Sequence, residues 1–183
     1  MVGAVGGHTG SRPLAVLLTG VFGVGKSTLA ADLADLLDEA GVPVAALDLD
    51  WLTWTNVSGA GRAGEHDMML ANLRPIIDRY RSAGARYFVL ARTIRGFDEL
   101  ATLGEALAMP LRVIEVTIPF EVIARRLATD PTEARRRDLV QSERWISEHR
   151  SDIADFVVMN DRSVREVAVE ILDWLGWPTP ASA

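Results

Sequence analysis

Five short apolar runs alternate along the chain with longer amphipathic stretches. Leu14 to Thr19 (LAVLLT) is almost unbroken in hydrophobicity, and Val44 to Leu47, Tyr87 to Ala91 (YFVLA), Leu111 to Ile118 (LRVIEVTI, with Arg112 and Glu115 inside it) and Phe156 to Met159 (FVVM) follow as further strand candidates. Such runs suit strands buried on both faces, the condition met in a parallel sheet. Between them the period changes. Leu29, Leu33, Leu36 and Leu37 recur at helical spacing and predict a helix over Ser27 to Ala40, stopped by Gly41, with Pro43 leading into the second run. Trp51 to Glu65 reads as a Gly-, Ser- and Thr-rich loop with room for one helical turn at its start. His66 to Ala83 reads as a helix stopped by Gly84, and Pro75 either kinks it or starts a separate helix. Phe97 to Ala108, Pro119 to about Thr129, Leu139 to Ala154 and Ser163 to Leu175 are the remaining predicted helices. Strand and helix alternate throughout. The pattern predicts an α/β fold, a three-layer sandwich around a five-stranded parallel sheet.

A length of 183 residues fits one domain with a sizeable core, expected over residues 13–177. Met1 to Arg12 is a Gly-rich leader without an apolar centre, so it is expected to be disordered and is not a signal peptide. The tail from Pro178 to Ala183 is expected to be disordered too. No apolar run reaches the roughly 18 residues that span a bilayer. The net charge of −6 argues against a nucleic-acid partner. The absence of cysteine removes disulfides and thiolate metal sites. The expectation is a cytoplasmic protein, monomeric or homodimeric, with no membrane and no nucleic acid among its partners.

Chemistry enters after the first strand. Gly20-Val21-Phe22-Gly23-Val24-Gly25-Lys26-Ser27 matches the phosphate-binding pattern G-x-x-x-x-G-K-[ST], the Walker A loop. Lys26 is the only lysine of the chain, against 18 arginines. A compact ammonium on a thin stem can lie along a triphosphate under a tight loop, whereas a planar guanidinium cannot do so without moving the loop. The backbone N–H groups of such a loop turn inward as an anion nest, and the following helix adds the positive end of its dipole. Lys26 is expected at the β- and γ-phosphates, and the Ser27 hydroxyl on Mg²⁺, with Thr28 behind it. The motif implies a nucleoside triphosphate and says nothing of the fate of its γ-phosphate.

The rest of the chain narrows the class. A GTPase of the Ras type carries N-K-x-D, which a single lysine at position 26 excludes. The third strand ends in Arg92 where a typical Walker B strand ends in Asp, which argues against motors and regulatory ATPases. At the end of the second strand stands Asp48-Leu49-Asp50. Alternation along the strand points the two carboxylates to one side, beside the glycine loop. In a small-molecule kinase one such carboxylate can hold Mg²⁺ through water, and the other can accept or orient the proton of an attacking hydroxyl. The plain alternative is that Asp48 or Asp50 caps the next helix.

These residues, with Arg125-Arg126-Leu127, the Arg135 to Arg137 cluster and Ile153-Ala-Asp-Phe-Val-Val158, resemble the nucleoside and nucleotide kinase superfamily of P-loop proteins. The likeness is nearest to shikimate and gluconate kinases, adenylylsulfate kinase and the chloramphenicol phosphotransferases. It spans about Leu14 to Leu175, with only the loop a tight match. The resemblance implies that Asp48 serves the metal and Asp50 the acceptor hydroxyl. It implies that Arg126 lies against adenine, that Asn160 in Asn160-Asp-Arg-Ser163 lies at the adenine edge, and that residues 129–138 form a lid. Arg135, Arg136 and Arg137 of that lid become candidates for the transferring phosphoryl group, the alternative being a solvated charged face. The chain lacks the Gly-Gly-Gly stretch of shikimate kinases and carries Arg92-Thr-Ile-Arg95 instead, so shikimate is not the expected acceptor.

The acceptor is expected above the strand ends. Trp51 and Trp54 either stack on it or belong to the core. Arg92 and Arg95 either hold an anionic group on it or pair with nearby carboxylates. His8, His66 and His149 are assigned no role. The expected activity is ATP- and Mg²⁺-dependent phosphotransfer to a hydroxyl of a small molecule. Two rivals remain, a nucleotide-binding regulator of the same fold and a plain NTPase.

Overall fold

The computed structural model describes residues 12–53, 61–128 and 152–180. The chain runs β1 (Leu14–Thr19), α1 (Lys26–Glu39), β2 (Val44–Asp48), a 3-10 turn (Leu49–Leu52), α2 (Gly61–Ser82), β3 (Tyr87–Ala91), α3 (Phe97–Leu107), β4 (Leu111–Thr117), α4 (Phe120–Ala128), β5 (Phe156–Met159) and α5 (Val164–Leu175). The strands pair in the order β2-β3-β1-β4-β5, every pair parallel. β1, buried from Ala15 to Thr19, takes the centre. Val16 sits between Val89 of β3 and Arg112 of β4.

Successive side chains of a strand point to opposite faces, which makes two cores from one sheet. Val16 and Leu18 pack with Leu29, Leu33 and Leu37 of α1 and with Val167 and Ile171 of α5. Ala15 and Leu17 face Met69, Leu73 and Ile77 of α2 and Leu103 and Leu107 of α3. Val16, Leu17 and Leu18 are fully buried, so truncating either leucine to Ala costs about 2–5 kcal/mol. Beyond α5, Trp177 is buried and meets Tyr87 edge to face at 4.9 Å.

The five strands lie where the apolar runs place them, with Asp48 added to β2 and Ile118 outside β4. α2 differs. It starts at Gly61 instead of His66 and continues through Pro75 as one helix. Met69, Leu70, Leu73 and Ile77, on both sides of the proline, are buried against the sheet. That packing outweighs the backbone hydrogen bond a proline removes. The predicted helix over 139–154 falls mostly outside the described residues, as do residues 1–11 and 181–183.

Candidate active site

Every described candidate side chain stands at the C-terminal end of a strand or on α1. β1 leads directly into the glycine loop, and α1 begins at Lys26 with Gly25 as its left-handed cap. Any other residue at Gly20 would be strained and would force a neighbour to move. Its φ is +134°, and a Cβ there would lie 2.4 Å from the carbonyl oxygen of Val116 in β4. Lys26 is buried, and its ammonium donates to the carbonyls of Gly20 at 3.0 Å and Val21 at 2.9 Å. The Phe22 ring lies 5.5 Å from the same nitrogen, within cation–π range. The loop thus holds one buried cation on two of its own carbonyls.

Asn160 supports this loop from below. It is buried, its backbone N–H donates to Thr117 at 2.8 Å, and its side-chain amide donates to the Val24 carbonyl at 2.8 Å. The residue expected at the adenine edge is thus engaged on the backbone of the phosphate loop.

Ser27 and the aspartates form the second part. Ser27 Oγ donates to Asp48 Oδ2 at 2.5 Å, and Asp48 Oδ1 accepts the Asp50 N–H at 3.0 Å. Asp48 caps the 3-10 turn, the plain alternative offered by the sequence, and its other carboxylate oxygen accepts from the loop serine. β2 ends at Asp48, so the strand pleat does not set the direction of Asp50. The 3-10 turn and Arg92 do. Arg92 Nη1 lies 3.5 Å from Asp50 Oδ1 and 3.4 Å from the Leu49 carbonyl. The arginine side chain is 12% exposed and the aspartate 48%. Arg92 is the inner partner, and Asp50 is the group presented outward. Of the two readings for Arg92, the geometry supports the pairing with a carboxylate.

Trp51 is 68% exposed, which removes it from the core. Arg95 donates its backbone N–H to Glu99 Oε2 at 3.0 Å, closing the first turn of α3. His66 bonds Thr102 at 2.8 Å and ties α2 to α3. Trp54, Arg135, Arg136, Arg137, His8 and His149 lie outside the described residues, and so does the side chain of Arg126 on α4.

Two threonines were missed by sequence reasoning. Thr93 Oγ1 donates to the Gly20 carbonyl at 2.8 Å, and Thr19 Oγ1 accepts the Ile94 N–H at 3.0 Å. They stitch the segment after β3 to the root of the phosphate loop. The available signal was their position, at and just past the ends of adjacent strands.

A glycine loop leaves the central strand of a β2-β3-β1-β4-β5 parallel sheet, with a lysine and a serine opening the next helix, which is a P-loop arrangement on an α/β fold. No family model matches the chain. It is 35% identical over 116 residues to the adenylyl-sulfate kinase of Chloroflexus aurantiacus, covering 62% of this chain and 60% of that protein. It is 50% identical over 50 residues to the probable adenylyl-sulfate kinase of Aeropyrum pernix, 27% of each. The chain therefore spans 27% and 60% of these curated relatives. Among solved structures, the APS kinase of Mycobacterium tuberculosis in complex with AMPPNP and APS superposes with a TM-score of 0.63. The alignment covers 90% of this chain and 98% of that one at 24% identity. The fold is that of these kinases. Among the described residues no helix is long and apolar enough to cross a membrane.

Proposed function

We propose that the chain is an ATP- and Mg²⁺-dependent phosphotransferase that moves the γ-phosphate to a hydroxyl of a small molecule. The observation that carries this reading is the chain of contacts Ser27–Asp48–Asp50–Arg92, which joins the phosphate loop to an outward-facing carboxylate. A nucleotide-binding regulator has no need of that second carboxylate.

Ser27 Oγ and Asp48 Oδ2 offer hard oxygen donors side by side. Mg²⁺ is usually held by one or two such groups together with phosphates and water, so the pair fits it. Ser27 and Asp48 would hold the ion, and the chemistry it would supply there is charge neutralisation at the transferring phosphoryl group. Lys26 and the loop amides hold the phosphates in place. Asp50 orients the acceptor hydroxyl and takes its proton while the hydroxyl oxygen forms its bond to the γ-phosphorus. The bond from that phosphorus to the bridging oxygen breaks, and ADP leaves with the electron pair. Arg126 against adenine and Arg135 and Arg136 on the phosphoryl group belong to the same proposal. Trp51, with Trp54 and Arg95, is assigned to the acceptor side.

Both relatives are named adenylyl-sulfate kinases, so adenylyl sulfate heads the acceptor panel, followed by nucleosides, sugars, polyols and hydroxylated natural products. The test is ADP release from MgATP with and without each compound. The reading expects at least one acceptor to raise the rate well above the rate without it. Equal turnover with every acceptor would make the chain a plain NTPase. Nucleotide binding without turnover would make it a regulator.

A further inference from the structure

We infer that Thr93 is a positioning residue for Lys26: its hydroxyl fixes the Gly20 carbonyl that holds the ammonium. The inference rests on the nucleotide-binding reading above and names a device within it. A carbonyl oxygen has two lone pairs. At Gly20 one accepts from Lys26 Nζ at 3.0 Å and the other from Thr93 Oγ1 at 2.8 Å. Gly20 is buried, so water cannot easily replace either donor.

The carbonyl needs a second tether because of its residue. Glycine lets the following peptide plane rotate through conformations closed to other residues. A rotation there would turn the oxygen away from Lys26. Thr93 is well placed to oppose it, because both its neighbours are tied down. The Arg92 N–H donates to the Leu18 carbonyl at 3.1 Å, and the Ile94 N–H donates to Thr19 Oγ1 at 3.0 Å. The hydroxyl is therefore presented from a fixed backbone, and the Gly20 carbonyl is held between two strand ends. The same short segment begins with Arg92, the partner of Asp50. One stretch of chain thus sets both the cation of the phosphate side and the carboxylate of the acceptor side.

The single lysine of the chain gives a direct readout. Protein labelled with ¹³Cε-lysine shows one ε-methylene resonance, that of Lys26. The comparison is wild type, Thr93→Val, which loses the donor at similar shape, and Thr93→Ser, which keeps it. The inference expects the Thr93→Val resonance to move towards that of free lysine in nucleotide-free protein. It expects the dissociation constant for AMPPNP with Mg²⁺ to rise about three- to tenfold, the scale of one neutral hydrogen bond. Thr93→Ser restores both. If Thr93→Val fails to fold, Thr93→Ala carries the same two measurements. An unchanged resonance and affinity in Thr93→Val, beside a wild type that binds, overturns the role of Thr93 alone. So does a Thr93→Ser as impaired as Thr93→Val, because the loss would then follow the side chain's packing. A wild type that does not bind AMPPNP overturns the nucleotide reading and the inference with it.

Discussion

At the end of β1 the site is made mainly of backbone, and at the ends of β2 and β3 it is made of side chains. The phosphate loop needs particular residues only where geometry strains others, at Gly20, or where a point charge is required, at Lys26. Everything else it presents is amide N–H, which every residue but proline carries. That is why a fixed spacing of glycines betrays it in a bare sequence. The proposed acceptor side is the reverse. Asp50 has its direction from a 3-10 turn and from an arginine 42 positions away along the chain, Arg92. No spacing announces that pairing. Binding by backbone is written locally, and binding by side chains is written in the tertiary fold.

Mutations can break this contrast, and the largest effect falls on the loop. Lys26→Ala should reduce ATP turnover by about 10³-fold or more, the scale on which removing a preorganised charge acts. A thermal melt should show the fold retained. Undiminished turnover in a folded variant would sink the phosphate-loop assignment. Next comes Asp50→Asn, expected to lower kcat with a working acceptor by roughly 10²-fold, the scale of general-base catalysis. Steady-state kinetics with the acceptor varied would check it, and a kcat within threefold of wild type would remove Asp50 from the chemistry.

Gly20→Ala tests whether the loop is fixed by backbone. A Cβ 2.4 Å from the Val116 carbonyl at φ +134° forces either β4 or the loop to shift. The expected loss is about 3 kcal/mol in urea unfolding, typical of imposed backbone strain. An unchanged midpoint would show that the loop yields.

The smallest effects lie at the start of α5 and on its ion pair with α1. Ser163 and Glu166 form a capping box on α5, so Ser163→Ala should cost about 1 kcal/mol in the same assay. The hydrogen bond from the Ser163 side chain holds the Glu166 carboxyl below its ordinary 4.5. The one from Arg165 does the same for Glu39. A carboxyl with a lowered folded value stabilises above its unfolded value, and that contribution fades as pH falls through the folded one. The stability gap between wild type and Glu39→Gln should therefore be level from pH 7 to about 5 and shrink in stronger acid. A gap that widens in acid would reverse the assigned sign.

How much of this was legible follows the same divide. β1 and β3 were readable because they are buried at nearly every position and so are apolar almost throughout, and β5 kept the same apolar run although Val157 and Met159 are exposed. The loop and the helix after it were readable by spacing. Asn160 was singled out for adenine, and the sequence did not announce that its amide reaches back 136 positions to the Val24 carbonyl. Thr93 reaches 73 positions to Gly20. Neither contact has a local pattern. The early start of α2 was hidden by Gly61 and Gly64, which read as loop until the buried Met69 and Leu73 are seen to anchor the helix. The parity argument for Asp48 and Asp50 failed because the strand stops between them.

The division between the two sides is tested most directly by calorimetric titration of AMPPNP with Mg²⁺ into wild type, Lys26→Ala and Asp50→Asn. The account predicts that wild type binds, that Lys26→Ala loses at least tenfold in affinity, and that Asp50→Asn stays within about twofold of wild type. An Asp50→Asn protein that folds and loses nucleotide as Lys26→Ala does would contradict it, and would place Asp50 with the phosphates and the metal rather than with the acceptor.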